Sequence, residues 1–133
     1  MLEIFVDGSA HPNPGPGGFG VIVLDKDKNF GYNNYKVVEV YTKQFDKTTN
    51  NEQELKALIY SFLIAYQNPN NNYIIYSDSN YAINVFTTWA ASWAKNGWTK
   101  SDKKPIQNLN LIKEGYKIYS QLNNCQIVKV KGH

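Results

Sequence analysis

Arginine is absent from this sequence: all 14 basic side chains are lysine, set against 11 acids for a formal net charge of +3 over 133 residues. Any contact with phosphate must then come from ammonium point charges and amides rather than from the two-pronged guanidinium. Cysteine is nearly absent, and the single Cys125 excludes an intrachain disulfide and disfavours a zinc cage. Long apolar runs are missing too. Phe19 to Leu24 and Tyr73 to Tyr76 fall far short of the roughly 20 residues a membrane span requires. The first residues carry acidic Glu3 and no basic segment ahead of their short apolar run. That is not the pattern of a signal peptide, so a cytoplasmic or other intracellular location is expected.

What is present is 42% hydrophobic residues, 10 tyrosines and 17 asparagines. A chain of this length buries about two thirds of its unfolded surface, which suits one domain over residues 1–133 with no covalent staples. The mild positive charge does not by itself call for a nucleic-acid partner. Leu2 to Val6 reads as a strand that stops at Asp7-Gly8-Ser9. Residues 11–18 hold three prolines and three glycines and read as a loop. Phe19 to Leu24 resumes as a strand, residues 25–29 as a turn, and Tyr35 to Tyr41 as a third antiparallel strand.

The period changes after Asp46 to Asn50. Leu55, Leu58, Ile59, Phe62, Leu63 and Tyr66 share one helical face, and Thr49 with Glu52 fits a capping box that starts the helix near residue 50. Asn68 to Asn72, with Pro69, ends it. Tyr73 to Tyr76 reads as a strand, and Asn80 to about Asn96 as helix in one or two pieces. Pro105 can open a helix bearing Leu109, Ile112, Tyr116 and Tyr119, and Cys125 to Lys131 reads as a final strand. The order β-β-β-α-β-α-α-β predicts an α/β fold with a mixed sheet of about five strands flanked by helices.

Asp7 and Asp78 each sit where an apolar strand meets small polar residues, and Glu54 lies in the first turn of the long helix. Taken singly, each has an ordinary explanation: a turn residue, an N-cap, or an acid favoured by the helix dipole. Should the two strands be neighbours with the helix across them, the three carboxylates converge. Such an arrangement persists mainly when a cation neutralises it, and hard oxygen ligands favour Mg²⁺ or Mn²⁺. Trp89, Trp93 and Trp98 are interleaved with Lys95, Lys100, Lys103 and Lys104. Rings beside cations suit a nucleic-acid surface, although Trp89 and Trp93, four apart, equally suit a buried helix face. Trp98, after Gly97, is expected to be exposed, and His11 reads as a loop residue.

Three stretches occur in order: Asp7-Gly-Ser with Asn13-Pro-Gly-Pro-Gly-Gly-Phe-Gly, then Thr48-Thr-Asn-Asn-Glu-Gln-Glu-Leu, then Ser77-Asp-Ser-Asn-Tyr. Together they resemble the type 1 ribonuclease H family. Trp89, Trp93, Gly97-Trp98, Asp102-Lys-Lys-Pro105 and Asn108 resemble the basic protrusion of its bacterial-type members, and Val130-Lys-Gly-His133 the close of its last strand. The resemblance implies a ribonuclease-H-like fold and hydrolysis of the RNA strand of an RNA/DNA hybrid with two metal ions, leaving 5′-phosphate and 3′-hydroxyl ends. It assigns Asp7, Glu54 and Asp78 to the ions. It assigns Asn13, Asn50, Asn51 and Asn80 to the RNA strand, Asn80 standing where glutamine is common. It assigns Lys47, Thr49 and Asn108 to a DNA-strand phosphate, Trp98 to the DNA channel, and His133 to an auxiliary role. Glu52, two residues before Glu54, reads as the capping partner of Thr49 instead.

The resemblance also implies a further helix carrying a fourth carboxylate, and no acid follows Glu114 in these 133 residues. The expectation is a truncated catalytic domain that binds hybrids better than it cuts them. With that helix absent, apolar sheet surface is left open to self-association. A hybrid-binding module without catalysis is the alternative. A transposase or resolvase of the same fold is disfavoured by the Thr-Thr-Asn-Asn and protrusion motifs. No membrane and no small-molecule cofactor is expected.

Overall fold

A computed structural model describes residues 1–26 and 35–132. Most of the turn expected at 25–29, and His133, lie outside the described residues. The chain forms five strands, β1 (Leu2–Ala10), β2 (Gly15–Asp25), β3 (Lys36–Thr48), β4 (Tyr73–Ser77) and β5 (Cys125–Lys129). Helix α1 (Asn50–Gln67) connects β3 to β4. Between β4 and β5 come α2 (Asn80–Asn84), a π-helical turn (Val85–Trp89), α3 (Ala90–Lys95) and α4 (Leu109–Tyr119). The sheet order is β3-β2-β1-β4-β5, with β1, β2 and β3 antiparallel and β4 and β5 parallel to β1 and to each other. This is the mixed five-stranded α/β sheet of the ribonuclease-H-like fold expected from the sequence.

Strand alternation decides the core. Ile4 and Val6 of β1, Val21 and Val23 of β2 and Ile75 of β4 are buried under α1, which contributes Leu55, Leu58, Ile59 and Phe62. Leu63 and Tyr66, expected on that buried face, are exposed at 36% and 53%. Ala57, Ile64 and Ala65 are buried in their place, because α1 packs on both the sheet and α4 and so buries a wider arc. Among the described residues nothing covers the other side of the sheet, where Phe5, Ile22, Val37 and Val40 are all exposed.

Strand extends further than expected: β1 runs through Asp7-Gly8-Ser9 to Ala10, the loop read at 11–18 narrows, and β3 passes Tyr41. Residues 15–18 belong to β2, and β3 runs on to Thr48, because the glycine-rich stretch is itself the partner of residues 44–48. A side chain at Gly18 would place its Cβ 2.3 Å from the Lys43 carbonyl oxygen, so this close pairing needs glycine. Pro16 fits because the β2–β3 register shifts between Gly15 and Gly17, where a bulge spares the missing amide donor.

Pro105 does not open α4. Asn108, in the left-handed region at φ 59°, turns the chain into a helix that starts at Leu109. The helical stretch after β4 is one run interrupted by the π turn, and the last strand stops at Lys129. At the far end of α1, buried Asn124 shares its two Nδ2 hydrogens among the carbonyls of Ala65 (2.9 Å), Asn68 (3.1 Å) and Asn71 (2.9 Å), tying the helix exit to the start of β5.

Candidate active site and nucleic-acid interface

The β1–β4 ladder pairs Phe5 with Tyr76 at its last rung. Asp7 and Asp78 each lie two residues beyond that rung, Asp78 just past the end of β4, so both stand at the same end of the sheet. Glu54 comes from α1 as its fifth residue, one step past the first turn in which the dipole argument placed it. Gly8 brings the helix in: a Cβ on Gly8 would lie 2.4 Å from the Gln53 carbonyl carbon and 2.7 Å from the Glu54 nitrogen. Strand and helix backbones therefore touch beside Asp7.

The electrostatics record the convergence. Burial pushes the Glu54 carboxyl above the usual carboxylate range, the Ser79 hydroxyl pulls the other way, and the charges of Asp78 and Asp7 raise it further. Ser79 donates its hydroxyl to Glu54 Oε2 while its Oγ accepts the Ala82 amide at 3.0 Å. The N-cap of α2 is thus Ser79, and Asp78 is left free of capping. Because the Ala82 amide occupies a lone pair of Oγ, the single hydroxyl proton is directed to Glu54. Sequence reasoning did not single out Ser79 for this, although its position after Asp78 was a capping signal. Across the site Gly132 lies against Asp78, a Cβ there falling 2.9 Å from Asp78 Oδ2.

A carboxyl whose folded pKa exceeds its unfolded one weakens the fold above that folded value and ceases to do so below the unfolded value. Glu54→Gln is therefore expected to be more stable than the parent at neutral pH. The gap should close as pH falls through the raised Glu54 value toward the ordinary carboxylate range. Urea midpoints over a pH series read this directly, and a gap independent of pH would contradict it.

Among the described residues, no three His, Cys, Asp or Glu side chains stand gathered around one point as a finished metal cage. The carboxylates repel, and Glu54 is turned to Ser79. The donor set itself, carboxylate oxygens without imidazole or thiolate, fits a hard cation such as Mg²⁺ or Mn²⁺.

The asparagines at the mouth of the site are laced together. Asn50 Oδ1 accepts the Ala10 amide at 2.6 Å, and the Asn50 amide donates to Asn13 Oδ1 at 3.1 Å, fastening the end of β1 and the following loop to the start of α1. Asn51 and Asn80 are exposed beside them. Thr49 is the N-cap of α1, its hydroxyl accepting the Glu52 amide at 3.1 Å. Glu52 completes only half of the expected capping box, since its carboxylate pairs with Lys56 at 3.4 Å. Lys47 is exposed at the end of β3, and Asn108 forms no side-chain cap on α4.

Trp98 departs from expectation. It is half-buried, with its ring 6.0 Å from that of Tyr116 and under Lys113 Nζ at 5.8 Å. A left-handed backbone at φ 63° folds it back onto α4. Trp89 and Trp93 meet both readings given above. Trp93 packs on the core, Trp89 is 39% exposed, and with Tyr81, Lys100 and Lys104 they line a groove of about 580 Å³.

A family model described as RNase H matches residues 1–133. A protein named ribonuclease H from Thermoanaerobacter sp. (strain X514) is 41% identical over 135 residues, covering all of this chain and 79% of the relative. One of the same name from Shewanella frigidimarina is 38% identical over 133 residues, covering all of this chain and 77% of the relative. Among solved structures, LC9-RNase H1, described as a type 1 RNase H with the type 2 active-site motif, superposes with a TM-score of 0.79 at 24% identity. That match covers 99% of this chain and 63% of the other. The foamy viral protease-reverse transcriptase in complex with RNA/DNA hybrid gives 0.80 at 16% identity, over 98% of this chain and 17% of that one. At these identities the structural matches speak for the fold.

Proposed function

The chain belongs to the RNase H family, and from that premise we propose that it is an endonuclease cutting the RNA strand of RNA/DNA hybrids by in-line hydrolysis with two Mg²⁺ ions. Products with 5′-phosphate and 3′-hydroxyl ends follow from that chemistry. The observation that carries the reading is that Asp7 of β1 and Asp78 just past β4 lie at the same end of the sheet, where Gly8 seats α1 beside Glu54. Asp7, on the central strand, would be shared between the ions, with Glu54 and Asp78 completing the second position. The ions, when bound, would supply an activated water and offset charge on the leaving 3′ oxygen. Mn²⁺ offers the same chemistry to the same oxygens.

The chain's own residues do the rest. Ser79 holds one Glu54 oxygen, Oε2, and leaves the other without that contact. Gly8 keeps α1 close enough for Glu54 to reach. RNA is told from DNA by its 2′-hydroxyl, which both donates and accepts. Amide side chains at Asn13, Asn50, Asn51 and Asn80 match that dual character, and the Asn13–Asn50 lacing fixes two of them before substrate arrives, which lowers the ordering cost of binding. Lys47, Thr49 and Asn108 would grip a phosphate of the DNA strand. The Trp89 groove with its lysines, and Trp98 at its side, would carry that strand onward. His133, where the motif ends, would assist proton transfer or product departure.

An RNA/DNA hybrid is expected to bind more tightly than duplex DNA of the same sequence and, with Mg²⁺, to be cut in its RNA strand alone. Binding should weaken as salt rises, because lysines displace counterions. Filter binding at matched salt and end-labelled cleavage assays measure both. Equal affinity for the two duplexes would overturn the reading, and preferential binding without any cleavage would point to a hybrid-binding module.

A further inference from the structure

The far half of β3 carries a feature the candidate site does not use. Tyr41, Lys43 and Phe45 alternate along the strand and so share one face, the one turned toward α1; the extra β3 residue opposite Pro16 breaks the alternation before Lys47. Lys56 of α1 reaches the same place. Its Nζ lies 4.0 Å from the centroid of the Phe45 ring, and Lys43 Nζ lies 5.4 Å from it. Two ammonium groups are thus held over one half-buried ring. Among the described residues Lys43 has no carboxylate within ion-pair distance, and Lys56 shares only the 3.4 Å contact with Glu52.

A ring attracts a cation through its quadrupole, without consuming the N–H donors as a carboxylate would. Phe45 therefore orients both ammonium groups and leaves their hydrogens free for an anion. Below them, Phe19, Tyr41 and Tyr60 line a shallow groove of about 240 Å³, with Tyr41 and Tyr60 stacked at 4.2 Å. Glu114 stands on the α4 side of that groove. An anionic chain is held off there, and also by Glu39 beside Tyr60, which leaves it the Lys43–Phe45 end of the groove. Two residues past Phe45, beyond the bulge, β3 brings Lys47 next but one to Thr49. Lys43 lies four residues, or about 13 Å of strand, from Lys47.

We propose that Lys43 and Lys56, clamped over Phe45, form an additional phosphate-backbone subsite that extends the footprint of the DNA strand along β3, beyond Lys47 and Thr49. The inference rests on the hybrid-binding reading above. Charge complementarity favours a polyanion here, and continuity with Lys47 assigns the strand. A lone lysine would be an ordinary solvated side chain. The paired placement on one ring, on the strand that goes on to Lys47, is what a tracking backbone requires.

The test uses the Asp7→Asn chain, expected to hold substrate without cutting it, with and without Lys43→Gln and Lys56→Gln together. Two hybrids serve as probes: one long enough to pass both lysines, and one trimmed to end at the Lys47 position. On the long hybrid the slope of log affinity against log salt should become shallower by about 1 to 2, at ~0.9 for each phosphate that is no longer neutralised. On the trimmed hybrid the two chains should coincide. Lys43→Arg with Lys56→Arg should restore the slope, since charge is retained. An unchanged slope on the long hybrid, or an equal loss on both hybrids, would overturn the subsite while leaving the hybrid reading intact. Failure of the parent to prefer either hybrid over duplex DNA would instead remove the reading on which the subsite depends. Thermal unfolding of each variant establishes that the comparison is between folded chains.

Discussion

Asp7→Asn is expected to lower Mg²⁺-dependent cleavage of a hybrid by about a thousandfold or more, a loss of ~4 kcal/mol at about 1.4 kcal/mol per decade. Asp7 is the one carboxylate of the three on the strand that pairs with both β2 and β4. Asparagine keeps the shape and one oxygen but gives up the charge that a shared divalent position needs. The same change should leave the fold intact or strengthen it, because one of the charges raising Glu54 disappears. Single-turnover cleavage and urea unfolding on the same sample separate the two effects. Wild-type turnover from a folded Asp7→Asn chain would eliminate the assigned site.

Gly8→Ala should damage stability and activity together. The added methyl would sit 2.4 Å from the Gln53 carbonyl carbon and 2.5 Å from its oxygen, and backbone cannot rotate out of the way as a side chain can. Either β1 or the start of α1 must shift, at a cost of about 1–3 kcal/mol or more. The melting temperature should fall by several degrees for each kcal/mol lost. Because the clash lies between Asp7 and Glu54, cleavage should fall by more than the unfolded fraction explains. Gly20→Ala is the control, its nearest new contact being Thr42 Cγ2 at an ordinary 3.7 Å. A Gly8→Ala chain as stable and active as the Gly20→Ala chain would show that the helix is not seated by this contact.

Much of this was legible in the sequence because local signals and the fold agreed. The start of α1 at Thr49, the β1 and β4 strands and the three carboxylates were each written in periodicity or motif. What escaped detection depends on distant partners. Residues 15–18 look like loop until β3 is known to need a strand without side chains beside it. Leu63 and Tyr66 fit an apolar stripe, yet α4 decides which arc of α1 is covered. Ser79 reads as a cap, and only the packing of α1 shows that its hydroxyl proton serves Glu54. Asn124 was one asparagine among 17, and nothing local marks it as the residue that closes three carbonyls. Trp98 was misjudged because the left-handed turn that folds it inward leaves no pattern beyond the preceding glycine.

Helix α1 is fastened at both ends, by the Gly8 contact and the Thr49 cap at one and by Asn124 at the other. Treated as a lever of 18 residues, it is ~27 Å long, so a slip of about 1 Å at the Asn124 end tilts its axis by only about 2°. Glu54 lies near the opposite pivot and hardly moves. Mechanical tolerance is therefore unequal along one helix: drift in residues 68–72 costs the active-site geometry little, whereas the same displacement beside Gly8 is delivered to Glu54 almost whole. Selection acting on turnover alone would leave the far loop free to vary while holding the near contact fixed.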